Sequence, residues 1–125
     1  MLTVLLIGSG GFIGSVGRYL MSRGMQSLCM GFSLPMGTLS VNVIGCLLIG
    51  LLGGLLETRI ALSAEQQLFF FVGILGGFTT FSAFGYETFN LLRTTRPLVA
   101  GANILAQIVL GIGAVCLGHW LARLF

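Results

Sequence analysis

Residues 73–89 read GILGGFTTFSAFGYETF, and this stretch holds many of the side chains that could act on a solute. Phe81 and Phe84 stand three apart and so share a helical face. An aromatic ring has a negative face and a positive edge, so ring edges turned toward a cavity attract an anion without a full charge. Just before them, Gly76 and Gly77 are followed by Thr79 and Thr80. Each glycine costs about 1 kcal/mol of helix stability relative to alanine, and hydroxyls compete for backbone bonds, so the pattern predicts a broken helix. Freed carbonyls at such a break suit a cation, and freed N–H groups suit an anion. Glu87 lies three residues past Phe84 on roughly the same face. Its carboxyl could relay protons, pair with an arginine or gate an acidic solute.

Two further stretches offer amides. In GTLSVNVIG, Thr38, Asn42 and Gly45 recur at helical spacing and share a face. Asn103 and Gln107 are four apart and project together from a later segment. Each amide could simply join two helices, but two amide-bearing faces in so small a chain suggest a shared polar track. Other chemistries find no support. The cysteines, Cys29, Cys46 and Cys116, have no metal-ligand spacing, and His119 stands alone. No nucleophile stands with a base, so the chain does not read as an enzyme. Its six basic residues, all arginines, are too few for a nucleic-acid patch and suit membrane edges instead.

The elements that must carry these residues are set by composition. Of 125 residues, 56% are hydrophobic and only 7% charged, against about a quarter charged in a soluble domain. With a mean hydropathy of +1.06, lipid is the solvent for most of the chain. Hydropathy divides it into four spans, 2–20, 35–56, 67–92 and 98–121, each near the ~20 residues that cross a bilayer core. The loops are short, so a single four-helix membrane domain is expected over residues 1–125. The first span lacks a basic n-region and is retained as a mature helix rather than a cleaved signal.

Glycine spacing adds a packing expectation. Lipid-immersed helices associate by close approach of small residues, and Gly10–Gly14, Gly50–Gly54 and Gly73–Gly77 each have the required spacing. SAEQQ at Ser63 to Gln67 resembles a helix start, and Pro97 suits the first turn of the last helix. Arg18, Arg23, Arg93 and Arg96 on one side oppose Arg59 and Arg123 on the other. So slight a bias allows insertion in both orientations and an antiparallel homodimer.

Together these residues resemble the Fluc/CrcB family of small fluoride channels over nearly the whole chain. The resemblance begins with GGFIGSVGRYL around Arg18, continues through PMGTLSVNVIGCLLIG with Asn42, and centres on GGFTTFSAFGYET. It implies an all-α integral membrane protein of the inner (plasma) membrane, with four transmembrane helices per subunit and a broken third helix. It also implies an antiparallel, dual-topology homodimer with two pores. Phe81 and Phe84 match the phenylalanines whose ring edges contact fluoride, and Asn42 matches the asparagine along the pore. Ser82 and Glu87 fall near the ion path, and Asn103 aligns with a fourth-helix position of the polar track. The carbonyls of Gly76 and Thr79 match those that hold a structural sodium ion at the dimer centre. The chain departs from the pattern at Ala83 and Gly85, where many members carry hydroxyl residues, and at Phe78, commonly leucine.

The expected function is passive, fluoride-selective export from the cytoplasm by electrodiffusion. A proton-coupled exporter of the small multidrug type also has four spans and paired topology. It needs an embedded acid, and only Glu87 is available, since the first span has none. A non-transporting scaffold would explain the glycines but not the broken, phenylalanine-rich third span.

Overall fold

The computed structural model describes residues 1–94 and 96–124. It is all-helical, and four helical stretches are long and apolar enough to cross a membrane: Leu2–Leu28, Met36–Thr58, Ala64–Arg93 and Pro97–Ala122. Helix α1, Leu2–Leu28, continues past the expected end at Leu20, and α2 occupies Met36–Thr58. The third crossing is built in pieces. A short α3, Ala64–Gln67, leads into a π-helical stretch over Leu68–Leu75, then α4, Gly76–Phe78, then α5, Phe81–Arg93. Helix α6 closes the chain at Pro97–Ala122, with its proline in the first turn as expected.

Local chemistry explains several of these limits. Ser63 and Gln66 form a reciprocal capping box, the helix start that SAEQQ resembles, so α3 begins at Ala64, ahead of the span boundary near Gln67. In the π-helical stretch the Gly76 N–H bonds back to the carbonyls of Gly73 and Phe71, a turn one residue wider than α at its outer limit. Apolar composition does not encode that widening.

The break falls within the expected stretch of Gly76 to Thr80, at its threonine end. Gly76 and Gly77 remain helical, whereas Thr79 and Thr80 are extended, with φ/ψ of −81°/158° and −152°/115°. β-branched threonine tolerates extended backbone well. The Thr80 hydroxyl then accepts the Ala83 N–H as an N-cap and starts α5. Gly77 serves close approach instead: a Cβ there would sit 2.7 Å from the Gly11 carbonyl oxygen.

The small-residue pairs all lie at helix contacts. Gly10 and Gly14 on α1 meet the backbone of the π-helical stretch; a Cβ on Gly10 would lie 2.7 Å from the Phe69 oxygen and 3.0 Å from the Gly73 Cα. Gly50 and Gly54 on α2 meet α6, where a Cβ on Gly54 would lie 2.7 Å from the Ala122 Cβ. The result is two tight pairs, α1 with the first half of the third crossing and α2 with α6. The buried apolar side chains are few and mostly modest in size, including Val41, Leu39 and Ala114, while large residues such as Leu5, Phe12, Leu105 and Ile112 face outward. That distribution suits a molecule whose surroundings are as apolar as its core.

Candidate functional site

The break is held from two sides. From α2, the Asn42 carbonyl oxygen accepts the Thr80 N–H at 2.9 Å, and its amide donates to the Thr80 carbonyl at 3.1 Å. The same amide donates to the Gln107 side-chain oxygen on α6 at 3.1 Å. From α1, Arg18 Nη1 donates to the Thr79 carbonyl at 3.3 Å. Backbone groups that leave a helix inside a membrane must find protein or water partners, and these side chains supply them.

These bonds redirect the helical donors. In an unbroken α-helix the Thr80 N–H would bond to the Gly76 carbonyl and the Ala83 N–H to the Thr79 carbonyl. Here Thr80 N–H goes to Asn42 and Ala83 N–H goes to the Thr80 hydroxyl at 3.2 Å. Both carbonyls expected to meet a cation are thereby released from their α-helical donors. Carbonyl oxygens are suitable donors for a hard cation. Two from one chain are too few to enclose one. Among the described residues no group of three or more His, Cys, Asp or Glu residues gathers to hold a metal.

Two recesses meet at the break. The smaller, about 400 Å³, is lined by Asn42, Gly76, Thr79, Phe81, Phe84 and Gln107 among others. The Phe81 and Phe84 rings stand edge to face, centroids 5.5 Å apart and planes at 64°. Phe81 is 82% exposed, unlike a packing phenylalanine. The larger recess, about 1080 Å³, is lined by Arg18, Arg23, Thr38, Ala83, Glu87 and Asn90 among others. Thr80 lines both, so the extended segment stands between them.

The polar face of α2 points along this boundary. Thr38 donates its hydroxyl proton to Glu87 Oε1 at 2.6 Å, Asn42 grips Thr80, and Gly45 leaves room for the Thr79 methyl group. Residue spacing placed these three on one face; it could not name what they touch. Glu87 Oε2 is buried without a protein partner. Asn103 and Gln107, though four apart, meet different helices: Asn103 is fully buried and donates to the Thr88 hydroxyl at 2.9 Å, while Gln107 meets Asn42. Asn103 and the exposed Ser82 line neither recess; the Ser82 hydroxyl pairs with that of Thr80 at 3.2 Å. The structure thus gathers Asn42, Gly76, Thr79, Phe81 and Phe84 around one recess and places Glu87 on the other. Arg18, whose partner the sequence left open, joins the break, and Gln107 joins Asn42.

The departures have local consequences. Ala83 lines the larger recess and uses its N–H in the Thr80 cap, and the exposed Gly85 has open space where a Cβ would stand.

Residues 5–119 match the family described as CrcB-like protein, Camphor Resistance (CrcB). A protein of Methylobacillus flagellatus named fluoride-specific ion channel FluC is 40% identical over 124 residues, covering 99% of this chain and 97% of its own. A Geobacter sulfurreducens protein of the same name is 43% identical over 98% of each chain. One from Nitrobacter hamburgensis, fluoride-specific ion channel FluC 1, is 42% identical over 96% of this chain and 94% of its own. With its four apolar helices, and matching this family over almost its whole length, the chain is a multi-pass inner-membrane protein that belongs to the CrcB-like family.

Proposed function

We propose that this protein is a passive, fluoride-selective ion channel that lets cytoplasmic fluoride leave down its electrochemical gradient. The relatives' names bring fluoride to this chain. The observation that carries the reading is the smaller recess, where Phe81 and Phe84 stand beside the break that Asn42 holds open. Ring edges and the Gln107 amide, whose Nε2 has no protein partner, offer partial positive charge, enough to replace some of the hydration of a small anion. They hold no full charge that would trap it, and conduction needs binding weak enough for release.

Within this reading the working unit is an antiparallel homodimer with two pores. Phe81 stands largely uncovered on the single chain, and each chain presents only two freed carbonyls to a cation. A second copy would cover the first and double the second. Gly76 and Thr79 would hold a structural sodium ion there, which supplies a fixed positive charge at the dimer centre. Ser82, Glu87 and Asn103 take positions along or beside the ion path.

The decisive measurement is fluoride efflux from liposomes containing purified protein, followed with a fluoride electrode and repeated with chloride. Rapid fluoride release with no comparable chloride release supports the channel. Liposomes that stay impermeable to fluoride overturn it.

A further inference from the structure

Gly10, Gly14 and Arg18 are spaced by four and lie along one face of α1. The two glycines bring that face against the π-helical stretch, where Gly10 approaches Gly73 and Phe69, and Gly14 approaches Ile74. Gly17 lies beside the Phe78 ring, one residue before the break. Arg18 is therefore delivered to the Thr79 carbonyl by backbone contact along nearly two turns, and its guanidinium donates there at 3.3 Å. This carbonyl has lost its α-helical donor, because the Ala83 N–H caps onto the Thr80 hydroxyl. An arginine remains charged in proteins, so the released carbonyl already faces a positive charge.

We propose that Arg18 is a protein-borne cation on the break, which satisfies the Thr79 carbonyl in the absence of metal and competes with a metal ion for it. The inference rests on the reading that the Gly76 and Thr79 carbonyls hold sodium. Two like charges on one carbonyl repel, so the metal must either displace the guanidinium or bind against it. Arg18 is a positioning residue in this account: it keeps the extended segment formed before the ion arrives and lowers the ion's affinity once it does.

The test follows thermal unfolding of purified protein in detergent as sodium replaces N-methyl-D-glucamine at constant ionic strength. Arg18→Gln keeps a donor without charge, Arg18→Met removes both, and Arg18→Lys keeps the charge. The proposal expects both neutral variants to be less stable than the parent without sodium. It also expects their stabilisation midpoint to fall at ~10-fold lower sodium, a change equivalent to about 1.4 kcal/mol. Arg18→Lys should keep a midpoint near the parent's. A merely structural arginine would lower stability at every sodium concentration without moving the midpoint. A midpoint in the neutral variants equal to or above the parent's overturns the inference and leaves the sodium reading standing. Neutral variants that fail to fold even in saturating sodium also overturn it, because the ion then does not take over from the guanidinium. Stability independent of sodium in parent and variants alike removes the sodium reading and this inference together.

Discussion

Asn42 holds Thr80 by both polar groups of its backbone, accepting the N–H at 2.9 Å and donating to the carbonyl at 3.1 Å. One side chain on α2 thus takes the N–H that leaves the helical ladder and adds a bond to the carbonyl that opens α5. Both groups belong to a residue 38 positions away, so the contact ties the break to α2. The second amide bond, to Gln107, ties it also to α6.

Asn42→Ala should therefore remove the support of the break rather than a single contact. It leaves the Thr80 N–H without a protein partner and takes one bond from its carbonyl, at a cost of ~1–3 kcal/mol where water does not reach. Thermal unfolding should show the loss, and fluoride efflux should fall with it. Asn42→Asp is the sharper probe. A carboxylate still accepts the Thr80 N–H but cannot donate, and it faces the Thr80 and Gln107 oxygens. It should keep more stability than alanine only when protonated, and it should block fluoride at neutral pH. Full efflux in Asn42→Asp would contradict an anion path beside this residue.

Phe81→Ile and Phe84→Ile should separate conduction from folding. Phe81 is 82% exposed on the chain, so its replacement by another apolar side chain removes little packing. What isoleucine lacks is the positive ring edge. Losing an aromatic contact of about 1 kcal/mol should slow fluoride passage several-fold at each position. Unfolding temperatures close to the parent's, together with reduced efflux, are expected. Parent-level efflux in both variants would remove the rings from the mechanism.

The sequence carried some of these features and withheld others for physical reasons. Four crossings, the packing glycines and a broken third helix follow from hydropathy and residue type, which act locally. The break also falls within the expected Gly76–Thr80, but its exact place was hidden: Gly76 and Gly77 have the weaker helix propensity, yet they stay helical and Thr79–Thr80 opens. Close approach to α1 and the hydrogen bonds from Asn42 decide the matter, and both are tertiary. The π-helical turn over Leu68–Leu75 was equally hidden, since leucines and phenylalanines fit either geometry. Thr38 and Asn42 share a face by spacing alone, but their partners Glu87 and Thr80 lie far along the chain. Asn103 and Gln107 illustrate the limit of periodicity, because a shared face still reached two different helices.

Glycine replacements should divide by what they would touch. A Cβ on Gly10 would lie 2.7 Å from a backbone oxygen, which cannot rotate aside. Gly10→Val should thus push α1 from the third crossing and destabilise by about 1–3 kcal/mol or more. Gly101 lies within α6 with nothing within 4 Å of the added carbon. Gly101→Ala should be neutral or stabilising, by up to ~1 kcal/mol from helix propensity. Unfolding in detergent, compared between the two variants, checks the contrast. Equal effects would mean that the close approach at Gly10 contributes nothing to stability.

Glu87 distinguishes a channel from a proton-coupled exporter. Its Oε1 accepts the Thr38 hydroxyl at 2.6 Å, and it lines the larger recess with Arg18 and Arg23. Glu87→Gln retains a carbonyl oxygen for Thr38 while removing the titratable proton. A passive channel does not cycle a proton through this carboxyl, so the variant should still release fluoride when an electrical driving force is applied. An exporter that trades protons for solute would lose coupled transport entirely. Thr38→Val tests the contact from the other side. It nearly preserves shape but strips the carboxyl of its hydroxyl donor, and Oε2 already has no protein partner. The expected cost is ~1–3 kcal/mol in stability. In the combined Thr38→Val, Glu87→Gln protein the effects should not add, because the two side chains are in direct contact. Fluoride efflux that survives Glu87→Gln, with no proton-driven uptake of a lipophilic cation in the parent, assigns the acid to the wall of a channel. Proton-driven uptake in the parent that disappears in Glu87→Gln would assign it to an exporter instead.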